Sequence, residues 1–174
     1  MKRFFLVASL ALTCLVLAQP GCKSAPRGMH QGEMVPDFVL PMLDGKVQKL
    51  SNYRGKVVLV NLWATWCPPC IEELPLLGRL QQEFGPRGLV VLGLAADDDP
   101  EAVRTFVKQN PVKFDVFLDV GGEVGTRYGI TGYPETFVVD REGRFQEKYI
   151  GPLPSDAGRP ADELSRRLTA LLGG

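Results

Sequence analysis
A single histidine, His30, stands in 174 residues. That scarcity excludes Ser-His-Asp triads, Cys-His proteases and most zinc enzymes, each of which needs an imidazole at the chemistry. Neither charge is in excess: lysine plus arginine number 20, and so do aspartate plus glutamate. Nucleic-acid binders carry a basic surplus, so the balance argues against that class. No apolar run reaches the roughly 20 residues of a bilayer-spanning helix. The longest, residues 4–18, has 15. No internal repeat and no second domain are visible. What remains is ordinary for a chain with one core, 45% hydrophobic and 23% charged.

The start reads as an address. Met1-Lys2-Arg3 is basic, and the run that follows has the length of a secretory signal core, about 7–15 residues. Residues 1–21 are therefore expected to be a signal peptide. Two cleavage points are open. Val16 and Ala18 suit ordinary cleavage after residue 18. Gly21-Cys22, followed by Lys23-Ser24-Ala25-Pro26, resembles a bacterial lipoprotein start, although Gln19-Pro20 departs from the usual aliphatic and small pair. A thioether lipid on Cys22 would also remove a spare thiol, which outside the cytoplasm invites wrong disulfides. Residues 22–34 read as a flexible linker, with His30 a solvated linker residue. Residues 35–174 are expected to form one domain.

That domain alternates strands and helices. Asp37 to Leu40 and Lys46 to Leu50 flank the turn signal Asp44-Gly45, with Ser51 expected to cap the short turn that follows. Val57 to Trp63 is a continuous apolar run, as in a strand buried on both faces. A helix is expected from Cys67 to about Phe84, bent at Pro75. A strand over Gly88 to Leu94, a helix near 100–109 and a strand over Phe114 to Leu118 follow. Asp97-Asp98-Asp99-Pro100-Glu101 reads as a helix start, with Asp99 as cap and Pro100 as first helical residue, rather than as a metal site. A short helix over Glu123 to Tyr128 precedes a hairpin, Thr136 to Asp140 and Phe145 to Ile150, and a final amphipathic helix spans 160–172. The pattern predicts an α/β fold: a central mixed sheet flanked by helices, with an N-terminal hairpin.

The chemistry is expected where the buried strand enters its helix, at Trp66-Cys67-Pro68-Pro69-Cys70. Free backbone N–H groups and the dipole at a helix start favour a thiolate at Cys67, whose pKa should fall below about 8.5, the free value. Pro68 and Pro69 waste no N–H and stiffen the loop. Cys67 is the expected exposed, attacking sulfur, and Cys70, one turn inside, the buried one that acts second. A structural disulfide across so small a loop contributes little stability. Zinc would need two more ligands, and only His30 and the distant Cys22 are candidates. A redox dithiol, needing no cofactor and no metal, is the reading these residues support.

The stretch Gly55 to Cys70 (GKVVLVNLWATWCPPC) and the stretch Gly132 to Gly143 (GYPETFVVDREG) together resemble the TlpA/ResA-like extracytoplasmic thioredoxins, including the CcmG/DsbE type. The resemblance covers roughly residues 35 to 172. It implies a thioredoxin-like fold with an inserted helix-strand unit, here residues 97–118. It implies reduction of protein disulfides outside the cytoplasm, often in cytochrome c maturation, with apocytochrome c as one such substrate. It also implies a CcdA/DsbD-like membrane electron donor, and the chain is expected to work as a monomer. On this resemblance Cys67 matches the nucleophile and Cys70 the resolving cysteine. Pro134 matches the proline kept cis beside the active site, where the Tyr133 backbone can pair with an extended substrate. Trp66, Pro68 and Pro69 complete the expected substrate-contacting surface, while Trp63 is expected to be core. Asn61 stands where thioredoxins proper carry a buried aspartate, and cannot titrate. Glu73, three residues after Cys70, matches an acidic residue typical of the group, and its carboxyl is placed to serve the buried thiol. Two rivals remain. A peroxiredoxin-like peroxidase is suggested by Thr65, two residues before Cys67, but the longer Pro-x-x-x-Thr-x-x-Cys arrangement is absent. A copper-handling module using Cys67 and Cys70 would need nearby His or Met ligands, and Met42 is the closest methionine.

Overall fold
The computed structural model describes residues 28–153 and 161–173. The expected signal peptide and Cys22 lie outside these residues. The strand predicted from its unbroken apolar run is β3 (Val57–Trp63), and all seven of its residues are buried. Each such valine or leucine contributes roughly 1.5–3 kcal/mol relative to exposure, which makes β3 the natural centre of the fold. Around it run β4 (Leu89–Ala95) and β5 (Asp115–Leu118) on one side, and β6 (Glu135–Val139) and β7 (Phe145–Ile150) on the other. The sheet order is β5-β4-β3-β6-β7. Strands β3, β4 and β5 are mutually parallel, β6 runs antiparallel to β3, and β7 antiparallel to β6.

Alternation along the strands divides the core in two. On one face Leu59, Trp63 and Val91 pack against α1 (Pro68–Phe84), α2 (Pro100–Gln109) and α4 (Ala161–Leu172). On the other, Val60, Leu62 and Phe137 pack against α3 (Glu123–Tyr128) and against Phe38 and Leu50 of the N-terminal segment. That segment forms a separate two-stranded sheet, β1 (Val39–Pro41) and β2 (Val47–Lys49), and closes on the β5 edge through the Met42–Phe117 bridge. Helix α2 and strand β5 are the inserted unit expected over 97–118. Asp99 caps α2, accepting from the Glu101 N–H at 3.0 Å.

Three local expectations are corrected. Ser51 does not cap the turn over Leu50–Tyr53; its N–H and hydroxyl both donate to the Asp37 carboxylate, a tie between segments rather than a cap. Helix α1 runs through Pro75 to Phe84, the end expected for it, with Pro75 on its exposed face. The hairpin strands are shorter than expected, because Val39 and Val47 face solvent and only a few residues find partners. The end of the stretch read as linker is tied to the domain. Gly32 N–H donates to the Phe145 carbonyl at 2.7 Å, and Phe145 N–H donates to the Glu33 carbonyl at 2.7 Å, so this segment pairs with the outer edge of β7.

Candidate active site
The C-terminal ends of the parallel strands β3 and β4 open side by side, and the chain leaving β3 turns at once into α1. Cys67 occupies the cap position of α1 in extended conformation, followed by Pro68 and Pro69 as the first two helical residues. Proline suits those positions because its fixed φ is already helical and its missing N–H would have had no partner. The turn brings Cys67 and Cys70 to a Cα separation of 5.3 Å, and their sulfurs are bonded at 2.08 Å. Cys70 is fully buried and Cys67 keeps only 5% of its surface. The expected order of access holds, but Cys67 is a rim residue rather than an exposed one. Trp66, 64% exposed, stands over this rim and meets the Tyr133 ring edge-on at 5.7 Å.

A second correction concerns the helix start. Two of its first residues are prolines, and the N–H groups of Cys70 and Ile71 both donate to the Cys67 carbonyl, at 3.1 and 3.2 Å. The local donors expected to hold a thiolate are therefore spent, and the helix dipole is what remains, worth typically ~0.3–1 kcal/mol.

Below the cysteines lies Glu73. It is buried and sits one helical turn beyond Cys70. Asn61 Nδ2 donates to its Oε1 at 2.7 Å, and the Leu153 N–H donates to its Oε2 at 2.8 Å. Burial pushes the Glu73 carboxyl above the usual carboxylate range, against the pull of these two donors. Glu72, its neighbour in sequence, faces solvent. Asn61 also donates to Thr136 Oγ1 at 2.9 Å, joining β3, β6 and α1 in one buried polar cluster.

The loop opposite carries Tyr133 and Pro134, joined by a cis peptide bond. Its position is fixed from below by Glu135. That fully buried carboxylate accepts from the Thr131 N–H and hydroxyl, both at 2.8 Å, and pairs with Lys148 Nζ at 2.8 Å. The Tyr133 hydroxyl lies against Gly122, a left-handed residue whose φ is +64° and where a Cβ would meet that hydroxyl at 3.0 Å. Trp63 is buried against Phe106, as core packing requires.

The chain matches the Redoxin family over residues 30–164. It belongs to that family. This redoxin is 37% identical to the thiol-disulfide oxidoreductase ResA of Bacillus cereus, over 75% of this chain and 76% of that one. It is 35% identical to the thiol:disulfide interchange protein DsbE of Pseudomonas fluorescens biotype C, over 99% of this chain and 97% of that one. A crystal structure from Chlorobium tepidum, assigned as a thiol:disulfide interchange protein DsbE, superposes with a TM-score of 0.77 at 32% identity. That match covers 84% of this chain and 100% of the other. With a Cys-x-x-Cys pair closed in one bond and relatives of this kind, the redoxin is a thiol-disulfide oxidoreductase with a thioredoxin-like fold.

Sequence reasoning missed two parts of the redoxin's site. The buried Asp97 accepts from the Thr65 N–H at 3.1 Å and from its hydroxyl, fastening the segment that leads into Cys67. Its position at the end of a strand parallel to β3 was the available signal, since such ends converge on one edge of the sheet. The contact from Leu153 had no signal, because it uses a backbone N–H far along the chain.

Proposed function
We propose that this redoxin works outside the cytoplasm as a reductase of protein disulfides, with Cys67 as nucleophile, Cys70 as resolving thiol and Glu73 as the proton acceptor for Cys70. The observation that carries the reading is Glu73: a buried carboxyl of raised pKa, one helical turn from a buried cysteine. The Cys67 thiolate attacks one sulfur of a substrate disulfide. A mixed disulfide forms, and the electron pair of the broken bond leaves on the other substrate sulfur. Cys70 then gives its proton to Glu73. Its sulfur pair forms the Cys70–Cys67 bond as the bond from Cys67 to substrate breaks, and the pair of that broken bond leaves on the substrate sulfur that Cys67 had attacked. The substrate departs reduced and the redoxin oxidised.

The direction follows from the helix start. A strong oxidant owes its power to extra stabilisation of the reduced form. Here prolines and the Cys67 carbonyl leave few donors for a thiolate, so the dithiol gives up its electrons readily. Trp66, Pro68, Pro69, Tyr133 and Pro134 form the surface on which an extended substrate segment lies, pairing with backbone as an added strand would. The ResA and DsbE relatives support a role in cytochrome c maturation, with apocytochrome c as substrate and a CcdA/DsbD-like membrane donor returning electrons. Residues 1–21 serve as export signal and Cys22 as lipid anchor. Among the described residues no helix is long and apolar enough to cross a membrane.

The test is turnover. Chemically recycled wild-type chain should reduce insulin disulfides, and Cys67→Ser should not. Peroxide consumption without disulfide reduction would overturn this function in favour of a peroxidase.

A further inference from the structure
One buried acceptor in the cluster has no partner. Asn61 is fully buried, its Nδ2 serves both Glu73 Oε1 and Thr136 Oγ1, and its Oδ1 accepts from nothing among the described residues. An unmet buried amide oxygen costs ~1–3 kcal/mol, and such groups call for an explanation. Glu73 supplies one. In the arrangement seen, both of its oxygens face donors, Asn61 Nδ2 and the Leu153 N–H. That environment suits a carboxylate. It does not suit a carboxylic acid, whose O–H would meet another donor.

The Leu153 N–H is main chain and can only donate. The Asn61 side chain carries a donor and an acceptor on one group, and half a turn about its terminal bond exchanges them. We propose that Asn61 is a positioning residue that partners Glu73 in both protonation states, donating through Nδ2 to the carboxylate and, after that half turn, accepting through Oδ1 from the carboxylic acid. Thr136 suits either arrangement, because a hydroxyl accepts from Nδ2 and donates to Oδ1. The proton that Cys70 releases therefore settles on Glu73 Oε1, where a partner can reverse itself, and not on Oε2, where none can.

The proposal deepens the reading of Glu73 as proton acceptor and rests on it. The groups around the carboxyl leave the proton few other destinations. Cys70 precedes it in α1; Asn61 comes from β3, Thr136 from β6 and the Leu153 N–H from the segment after β7. Helix α4 brings apolar Leu164 and Leu168 to this side of the sheet. Tyr149, opposite Thr136 in the β6–β7 register, is an ionisable side chain packed against the same core cluster. Burial pushes its hydroxyl up to about 12, so it stays neutral while a carboxyl titrates.

The test uses the full reduced chain with labelled asparagine and glutamate. Over about pH 4 to 9, a span that brackets a raised carboxyl, the Glu73 carboxyl carbon and the Asn61 side-chain amide are followed together. The expected result is contact between the Asn61 Nδ2 protons and Thr136 above the Glu73 midpoint, and its loss below that midpoint. Contact at both ends of the titration overturns the proposal and leaves Glu73 as acceptor. A Glu73 that does not titrate overturns both. A double-mutant cycle on the resolving step gives an independent reading. Asn61→Leu should slow resolution about tenfold, a part of the roughly 10²–10⁴-fold that an acid–base group contributes, and should slow it no further in a Glu73→Gln background. Losses that simply multiply would make Asn61 a packing residue and overturn the assignment. Should Asn61→Leu fail to fold, the titration of the wild-type chain decides alone.

Discussion
The Asp97 carboxylate, at the end of β4, accepts from both the backbone N–H and the hydroxyl of Thr65, two residues ahead of Cys67. Strand β4 thereby holds the segment on which the outer sulfur rides. Burial pushes the nearby Tyr133 hydroxyl up, and the Asp119 and Asp97 carboxylates add to it, so negative charge gathers on this side of the site.

Asp97→Asn should separate tether from charge. The amide keeps one acceptor for Thr65 and removes the anion. A like charge disfavours a thiolate, so the variant's Cys67 should alkylate faster at neutral pH, by about threefold for a charge acting at a partly screened distance. Asp97→Ala loses both acceptors and should cost about 1–3 kcal/mol in denaturant unfolding. An alkylation rate equal to the parent's in Asp97→Asn would limit Asp97 to the tether.

Glu73→Gln should change how stability depends on pH. The folded state binds the Glu73 proton more tightly than the unfolded state, since burial raises its pKa. The folded chain then carries more protons between the two pKa values. Stability attributable to this group falls as pH rises from the unfolded value through the folded one, by about 1.4 kcal/mol for each tenfold difference in proton affinity. Below the unfolded value the effect is absent. Urea unfolding from acid to neutral pH should show that decline in the parent and not in Glu73→Gln. The same variant should slow release of substrate from the mixed disulfide and flatten its pH profile.

The pair formed by Glu135 and Lys148 should be costly to break on one side only. Lys148→Met leaves a fully buried carboxylate without its cation, a change of about 3–5 kcal/mol. Glu135→Gln with Lys148→Met should recover much of the loss, because a neutral amide can still serve Thr131. Unfolding midpoints of the three proteins check this, and insulin reduction reports whether the Tyr133–Pro134 loop has shifted.

Cys70→Ser should accumulate a mixed disulfide through Cys67 with any substrate it meets, and Cys67→Ser should accumulate none. Non-reducing electrophoresis with mass mapping reads the difference. Complexes through residue 70 would reverse the assignment of the two sulfurs.

Much of the fold was legible because single rules governed it locally. The unbroken apolar run fixed β3, the Asp99-Pro100-Glu101 start fixed α2, and the hairpin read over Thr136 to Ile150 placed β7 beside β6. The dithiol was legible for the same reason, as strand, cysteines, prolines and helix are contiguous. Glu73 was singled out by its match to an acidic residue of the resembled group, and helical spacing set it one turn from Cys70. What stayed hidden depends on residues distant in sequence and adjacent in space. Ser51 found Asp37 instead of its own turn, Asp97 found Thr65, and Glu135 found Lys148 across β6 and β7. The donors at the helix start were misjudged for a nearer reason. A proline offers none, and the next two turn inward on Cys67.

Of the two donors that hold Glu73, one belongs to the peptide linkage entering Leu153. A grip of that kind is blind to the identity of the side chain attached there. Residue 153 is free to be shaped by what packs over the helices, while the proton affinity of the acid beneath the sulfurs is held by geometry that every residue except proline supplies. Packing and proton chemistry, usually entangled in a protein interior, are here assigned to different atoms of one amino acid.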